Sequence, residues 1–224
     1  SYLKDCLDSL REQNIDDCEI LLVLNGGKES VDDLLKEYDD LNIIIKSFDS
    51  RINVSKARNE GLKIAEGQYV YFIDSDDYIY QDGLSKLIDV AKNSNADFIN
   101  GERINTGFIK ERFAEEIDLL AEKKRYPLLK KNLADEEFSF KLLVGDKTDD
   151  FEVLSALHCL IKKDKIDKLF DESAVYQSDY EFMIDVLNGM ESFVGVENAI
   201  YAKRIRDDPI NLKSLNQQMG ADKR

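Results

Sequence analysis

Tyr69-Val-Tyr-Phe-Ile-Asp-Ser-Asp-Asp77 is the stretch whose reading decides the fold. Tyr69 to Ile73 is an unbroken run of apolar and aromatic β-formers, the pattern of a strand buried on both faces. It ends in Asp74-Ser75-Asp76-Asp77, where closely spaced carboxylates repel one another unless something positive lies between them. On an extended chain Asp74 and Asp76 project from the same face, because side chains alternate. Two carboxylates at the carboxyl end of a buried strand suit a hard divalent cation, Mg²⁺ in particular, shared with substrate phosphates. The alternative is a turn, since Asp and Ser favour turns and helix caps, and a helix is expected to follow.

Working outward, the segments on either side alternate between strand and helix. Leu3, Cys6, Leu7 and Leu10 recur at helical spacing. Glu19 to Leu24 reads as a second buried strand, broken by Asn25-Gly26-Gly27. Val31, Leu34, Leu35 and Tyr38 form an amphipathic helix, and Asn42 to Ile45 a short strand. Ser55 is the expected N-cap of a helix through Ala65, with Gly67 as its C-terminal cap. Leu84, Leu87, Ile88 and Ala91 mark the next helix, and Asp97 to Ile99 the next strand. Such alternation implies an α/β fold with a mostly parallel sheet and flanking helices. Ligands of such sheets bind beyond the carboxyl ends of the strands, where Asn25 and the Asp74–Asp77 cluster both fall. Past about residue 105 the pattern changes: 110–150 is highly charged and reads as a solvated covering layer. Phe182, Met183, Val186, Leu187 and Met190 resume a helix from Asp179, and Ser192 to Val196 and Ile200 to Lys203 read as strands. The expected division is 1–105, a nucleotide-binding half; 106–206, an acceptor-side half; and 207–224, a tail or linker.

Composition excludes several classes. The 224 residues are 43% hydrophobic and 34% charged with only 2 Pro, which describes an ordered globular chain. A formal net charge of −15 argues against nucleic acid and against broad attraction to anionic lipid. Cys6, Cys18 and Cys159 are an odd, sparse set, which fits a reducing compartment better than a disulfide framework. One histidine, His158, and no cysteine pair at metal spacing speak against zinc. An EF-hand beginning at Asp74 fails on spacing, with Ile79 at the glycine position and Ser85 at the closing acid. No apolar run approaches the length of a membrane-spanning helix.

Asn53-Val-Ser-Lys-Ala-Arg-Asn-Glu-Gly61, then Ala65-Glu-Gly-Gln-Tyr69, then Phe72-Ile-Asp-Ser-Asp-Asp77 resembles the family-2 glycosyltransferases of the GT-A fold. The ordered match, with Cys6-Leu-Asp-Ser-Leu10 near the start, is dense over the first half and thinner after it. The resemblance implies an inverting, metal-dependent transfer of a hexosyl or N-acetylhexosaminyl group from a nucleoside-diphosphate sugar, a UDP-sugar in first place, to a hydroxyl acceptor. It implies Mn²⁺ or Mg²⁺ on Asp74 and Asp76, with Asp74 also near the ribose and Arg58 near the nucleotide. Gln177-Ser178-Asp179-Tyr180-Glu181-Phe182 resembles the family's base-bearing helix start, which makes Asp179 the expected base and Glu181 its substitute. Tyr201-Ala-Lys-Arg-Ile-Arg206 resembles the late aromatic and basic strand, so Arg204 and Arg206 are expected at the diphosphate.

The chain also departs from the family pattern. It opens inside the helix that normally follows the first strand, so that strand is expected to be absent. Asn25 stands where the family has an Asp that reaches the base or ribose, and Arg51-Ile52-Asn53 replaces Asn-x-Gly. No Gln-x-x-Arg-Trp is present, which favours a non-processive enzyme. The run from Arg204 to Leu215 resembles members that make teichoic-acid-type and capsule polymers, implying an acceptor on a glycan or polyol-phosphate polymer. Work of that kind implies a cytoplasmic protein, with peripheral association at the inner face of the membrane as an open option. The rival expectation is a non-catalytic GT-A-like module that binds sugar or nucleotide.

Overall fold

The computed structural model describes residues 1–26, 31–106, 130–131, 155–174 and 178–204. The elements alternate as the hydrophobic pattern requires: α1 (Tyr2–Arg11), β1 (Ile20–Asn25), α2 (Asp32–Leu35), β2 (Ile43–Phe48), α3 (Val54–Ile64), β3 (Tyr69–Tyr71), β4 (Tyr78–Ile79), α4 (Gly83–Ser94), β5 (Phe98–Thr106), β6 (Lys130–Lys131), β7 (Cys159–Lys162), α5 (Ser178–Asn188) and β8 (Phe193–Arg204). β1 and β2 form a parallel two-stranded sheet. The remaining strands form a second sheet in the order β3-β7-β5-β8-β4, with β6 also on β8.

The α/β class and the flanking helices agree with the sequence reading, but the pairing of the larger sheet is mixed. β5 and β8 are parallel, whereas β7 runs antiparallel to both β3 and β5, and β4 antiparallel to β8. The helical crossovers visible in the sequence fix the direction of β3, β5 and β8. The short β4 and β7 slot between or beside them without a crossover of their own, so local periodicity did not reveal them.

The sheet separates two apolar layers. Phe98 and Ile99, and likewise Phe193 and Val194, alternate between them as strand geometry demands. One layer joins Ile99 and Val194 to Cys6 and Leu10 of α1 and to Leu84, Leu87 and Ala91 of α4. The other joins Phe98, Ile161 and Phe193 to the α5 stripe of Phe182, Met183, Val186 and Leu187. Each large side chain so buried contributes on the order of 1.5–3 kcal/mol.

Several local expectations need correction. Ser55 is not the cap of α3. Asn53 is, its side chain accepting from Lys56 N at 2.7 Å, while Ser55 is buried in the first turn. Gly67 is not the C-terminal cap of α3. The helix ends at an extended Ala65, and the Gly67 N–H donates to Glu19 Oε1. The two late strands are one, β8, which continues through a left-handed Asn198 (φ 56°), where the β5–β8 register shifts between Asn100 and Glu102. The strand ahead of the acidic cluster is only half-buried along its length. Its hydrogen-bonded neighbour among the described residues is β7 alone.

Candidate active site

The acidic cluster is a turn, not an extension of β3. Asp77 N donates to Asp74 O at 2.9 Å, closing a four-residue reversal between β3 and β4. Strand alternation therefore does not orient Asp74 and Asp76; the turn does. It gathers the carboxylates of Asp74, Asp76 and Asp77 so that one oxygen of each lies within 4.8 Å of the others. Asp77 is the buried member, while Asp74 and Asp76 are partly exposed. Burial pushes the Asp77 carboxyl up to about 6, against the pull of hydrogen bonds from Tyr201 and the Arg204 N–H.

Arg58 joins this turn to the second half of the chain. Its Nη2 lies 3.2 Å from Asp74 Oδ1, and its Nη1 donates to Asp179 Oδ1. The Arg58 side chain is 11% exposed, against 35% for Asp74 and 27% for Asp179, so the cation sits deeper than the anions it holds. Burial works against its charge, yet the two carboxylates outweigh burial and its pKa is raised. The guanidinium also lies over the Phe170 ring at 5.3 Å.

Phe170 explains why residues so far apart in sequence meet. Asn59, one residue after Arg58, exchanges hydrogen bonds with the Phe170 backbone, Nδ2 to O and N to Oδ1, both at 2.9 Å. An amide side chain carries that donor and acceptor side by side on one terminus. The Phe170 ring stacks on Phe182 of α5 at 3.8 Å and meets Phe72 edge-on at 5.4 Å. At the start of α3, Asn53 Nδ2 donates to Glu172 O. Helix α3, the end of β3, the 170–172 segment and the first turn of α5 are thus clamped around one aromatic cluster. Asp179 is carried to Arg58 by that clamp.

The other expected site residues are placed as follows. Asn25 lies at the carboxyl end of β1, and its amide is engaged with one backbone unit: Nδ2 donates to Ile52 O at 2.7 Å and Oδ1 accepts from Ile52 N at 2.6 Å. Beside it Gly26 has φ 64°, and a Cβ there would lie 2.3 Å from Arg51 N, so the β1 end and the 50–52 loop approach as only glycine permits. The two departures from the family pattern, at Asn25 and at 51–53, are therefore in contact. Arg204 closes β8, and its backbone N–H donates to Asp77 Oδ1 at 2.7 Å. Both of its terminal nitrogens lie 3.0 Å from Asp5 Oδ2, and its guanidinium faces the rings of Tyr2 and Tyr78 at 4.7 and 5.4 Å. Its side chain is thereby engaged in docking α1 onto β8. Arg206 lies outside the described residues. Glu181 is an exposed residue in the first turn of α5.

Sequence reasoning gave no role to Tyr201. Its hydroxyl donates to Asp77 Oδ2 at 2.6 Å and accepts from Asp74 N at 3.2 Å. The signal available was an aromatic residue opening the late basic strand, but nothing local tied it to the acidic turn.

A model of glycosyl transferase family 2 matches residues 1–146. The poly(ribitol-phosphate) beta-glucosyltransferase of Bacillus spizizenii is 28% identical over 225 residues, covering 92% of this chain and 35% of that enzyme. The structure of TarS 1–349 from S. aureus in complex with UDP-GlcNAc superposes with a TM-score of 0.69 at 18% identity, over 92% of this chain and 56% of that one. A Pyrobaculum calidifontis mannosyltransferase in complex with GDP-Man and Mn²⁺ superposes with a TM-score of 0.61 at 14% identity, over 93% and 54%. The chain thus spans only part of the length of each of these proteins. Both structures share the GT-A fold with this chain. With the Asp74–Asp77 turn, Arg58 and the α3 asparagines all inside the matched region, the chain belongs to glycosyl transferase family 2.

Proposed function

We propose that the protein transfers a sugar, with inversion, from a nucleoside-diphosphate sugar to a hydroxyl acceptor, and that Asp179 is the base. One observation carries this reading: Asp74 and Asp179, from opposite halves of the chain, share the guanidinium of Arg58. On this reading a donor-side acid and an acceptor-side acid stand at one site. In the transfer, the acceptor oxygen bonds to the anomeric carbon as the bond from that carbon to the diphosphate oxygen breaks. The acceptor's proton passes to a carboxylate oxygen of Asp179. Arg58 holds that carboxylate in place.

The acidic turn suits a hard divalent cation, Mn²⁺ or Mg²⁺, because its donors are all carboxylate oxygens and lie close enough to share one ion. Asp74 and Asp76 would hold it, and it would supply charge neutralisation on the departing diphosphate. UDP-sugar is the favoured donor, and a glycan or polyol-phosphate polymer the favoured acceptor. The support for both is likeness to the teichoic-acid-type glucosyltransferase and to the structure holding UDP-GlcNAc. Among the described residues no helix is long and apolar enough to cross a membrane.

The test is a pair of substitutions. Asp179→Asn is expected to stop transfer while leaving calorimetric binding of UDP with Mn²⁺ intact. Asp76→Ala is expected to remove the Mn²⁺-dependent part of donor binding. Wild-type turnover in Asp179→Asn would remove the base assignment. The rival reading, a binding module without transfer, draws on Asn25, whose amide is engaged by Ile52. Donor binding without turnover in the parent protein, across a donor and acceptor screen, would favour that rival.

A further inference from the structure

We propose that Asp77 and Tyr201 form a bolt that sets the shape of the acidic turn, so that cation affinity at Asp74 and Asp76 depends on a hydroxyl from β8. Asp77 is then a positioning residue and not a ligand. The inference rests on the metal reading above and adds to it the division of labour among the three carboxylates.

The geometry leaves Asp77 facing into the protein. Its Oδ2 accepts from the Tyr201 hydroxyl at 2.6 Å and its Oδ1 from the Arg204 N–H at 2.7 Å. With the residue 2% exposed, both oxygens are directed at β8. Tyr201 gives its only hydroxyl proton to Asp77 and accepts from the backbone N–H of Asp74 at 3.2 Å. The Asp77 N–H in turn donates to Asp74 O. Asp74 is therefore tied at its N–H through Tyr201 and at its carbonyl through Asp77, and the two ties are themselves joined.

Tyr201 cannot wander. It is fully buried, and its strand is paired on both sides, with Ile79 of β4 and Arg103 of β5 opposite it. The Tyr71 ring lies 6.5 Å away. Without this anchor the adjacent carboxylates would relax apart under their own repulsion, and a cation would have to gather them again. Groups behind metal ligands commonly act in this way, by fixing the ligands before the ion arrives.

The experiment is Mn²⁺ titration without donor, read by electron paramagnetic resonance, on the parent, Tyr201→Phe, Asp77→Asn and the double variant. Each single variant is expected to weaken Mn²⁺ by about tenfold. The double variant is expected to be no weaker than either, because both changes open one bolt. Ser192→Ala, which removes a hydroxyl acceptor at the far end of β8, serves as a control for general destabilisation and should bind as the parent does.

Parent-like affinity in Tyr201→Phe would overturn the bolt. So would abolished binding in Asp77→Asn alone, which would make Asp77 a ligand, or an equal loss in Ser192→Ala. If Tyr201→Phe does not fold, Asp77→Asn carries the same test, since its amide oxygen still accepts one of the two hydrogen bonds. A tenfold loss then supports the bolt, and an unchanged or abolished affinity overturns it. A parent that binds no Mn²⁺ would remove the metal reading itself, an outcome distinct from variants that match a binding parent.

Discussion

Arg58 shows how much one side chain can be asked to do. A guanidinium fork reaches two carboxylates at once, whereas an ammonium is a compact charge on a flexible stem. Arg58→Lys is therefore expected to keep one of the two contacts and to lose about 1–2 kcal/mol of stability in urea unfolding, the carboxylates being partly in water. Arg58→Met should lose more, because it leaves Asp74 and Asp179 facing each other with no cation between them. His158 poses the opposite problem. It is buried at φ 62°, its Nδ1 has no hydrogen-bond partner among the described residues, and burial with the nearby positive charge of Arg103 pushes its pKa down to about 3. The folded state thus holds the imidazole neutral, while the unfolded chain takes up a proton near pH 6.5. This contribution to stability is complete above pH 6.5 and is lost as pH falls toward 3. By pH 5 the loss is about 2 kcal/mol. His158→Asn, whose side chain tolerates left-handed backbone, should show a smaller drop in melting temperature between pH 7 and pH 5 than the parent.

At the scale of elements, α3 is the part on which the candidate site depends. Its N-cap and its middle each send an asparagine to the 170–172 segment, and between them it presents Arg58. Asn53→Ala removes the N-cap acceptor and the donor to Glu172 together. A thermal melt should report a loss of about 1–2 kcal/mol. Much of this element could be read from the sequence: its limits to within a residue or two, its arginine and its relation to the acidic turn are all local. Its cap was misread because Asn53 and Ser55 are both competent caps, and the pattern does not say which begins the helix. The role of Asn59 was not legible at all, since its partner lies 111 residues further along. The acidic turn divides in the same way. Its carboxylates were evident, but that Asp77 faces inward depends on a tyrosine from another strand.

The whole molecule is a larger mixed sheet with a separate parallel ribbon beside it, and the two differ in how firmly they are held. The large sheet has helices on both faces and strands such as β7 and β8 that are mostly buried. The ribbon has β1 half-buried, and Ile44 and Ile45 of β2 are 42% and 47% exposed. The strands β1 and β2, and β3, β5 and β8 of the larger sheet, were visible in the sequence as apolar runs. Their division into two sheets was not, because periodicity says which residues face a core and not which edges meet. The candidate site spans this arrangement: Asp74 and Asp179 stand on the larger body, Asn25 on the ribbon, and Arg58 on α3, which packs against β1.

That separation has a kinetic consequence. A two-stranded unit paired only to itself among the described residues, and packed by β1 against α3, has fewer ties than the larger sheet and can open at lower cost. Amide protons of Leu21 to Leu24 should therefore trade for deuterium well before those of Phe98 to Asn100, as one cooperative step and at an opening cost below that of global unfolding. Equal protection in the two groups would mean that the ribbon opens only when everything does.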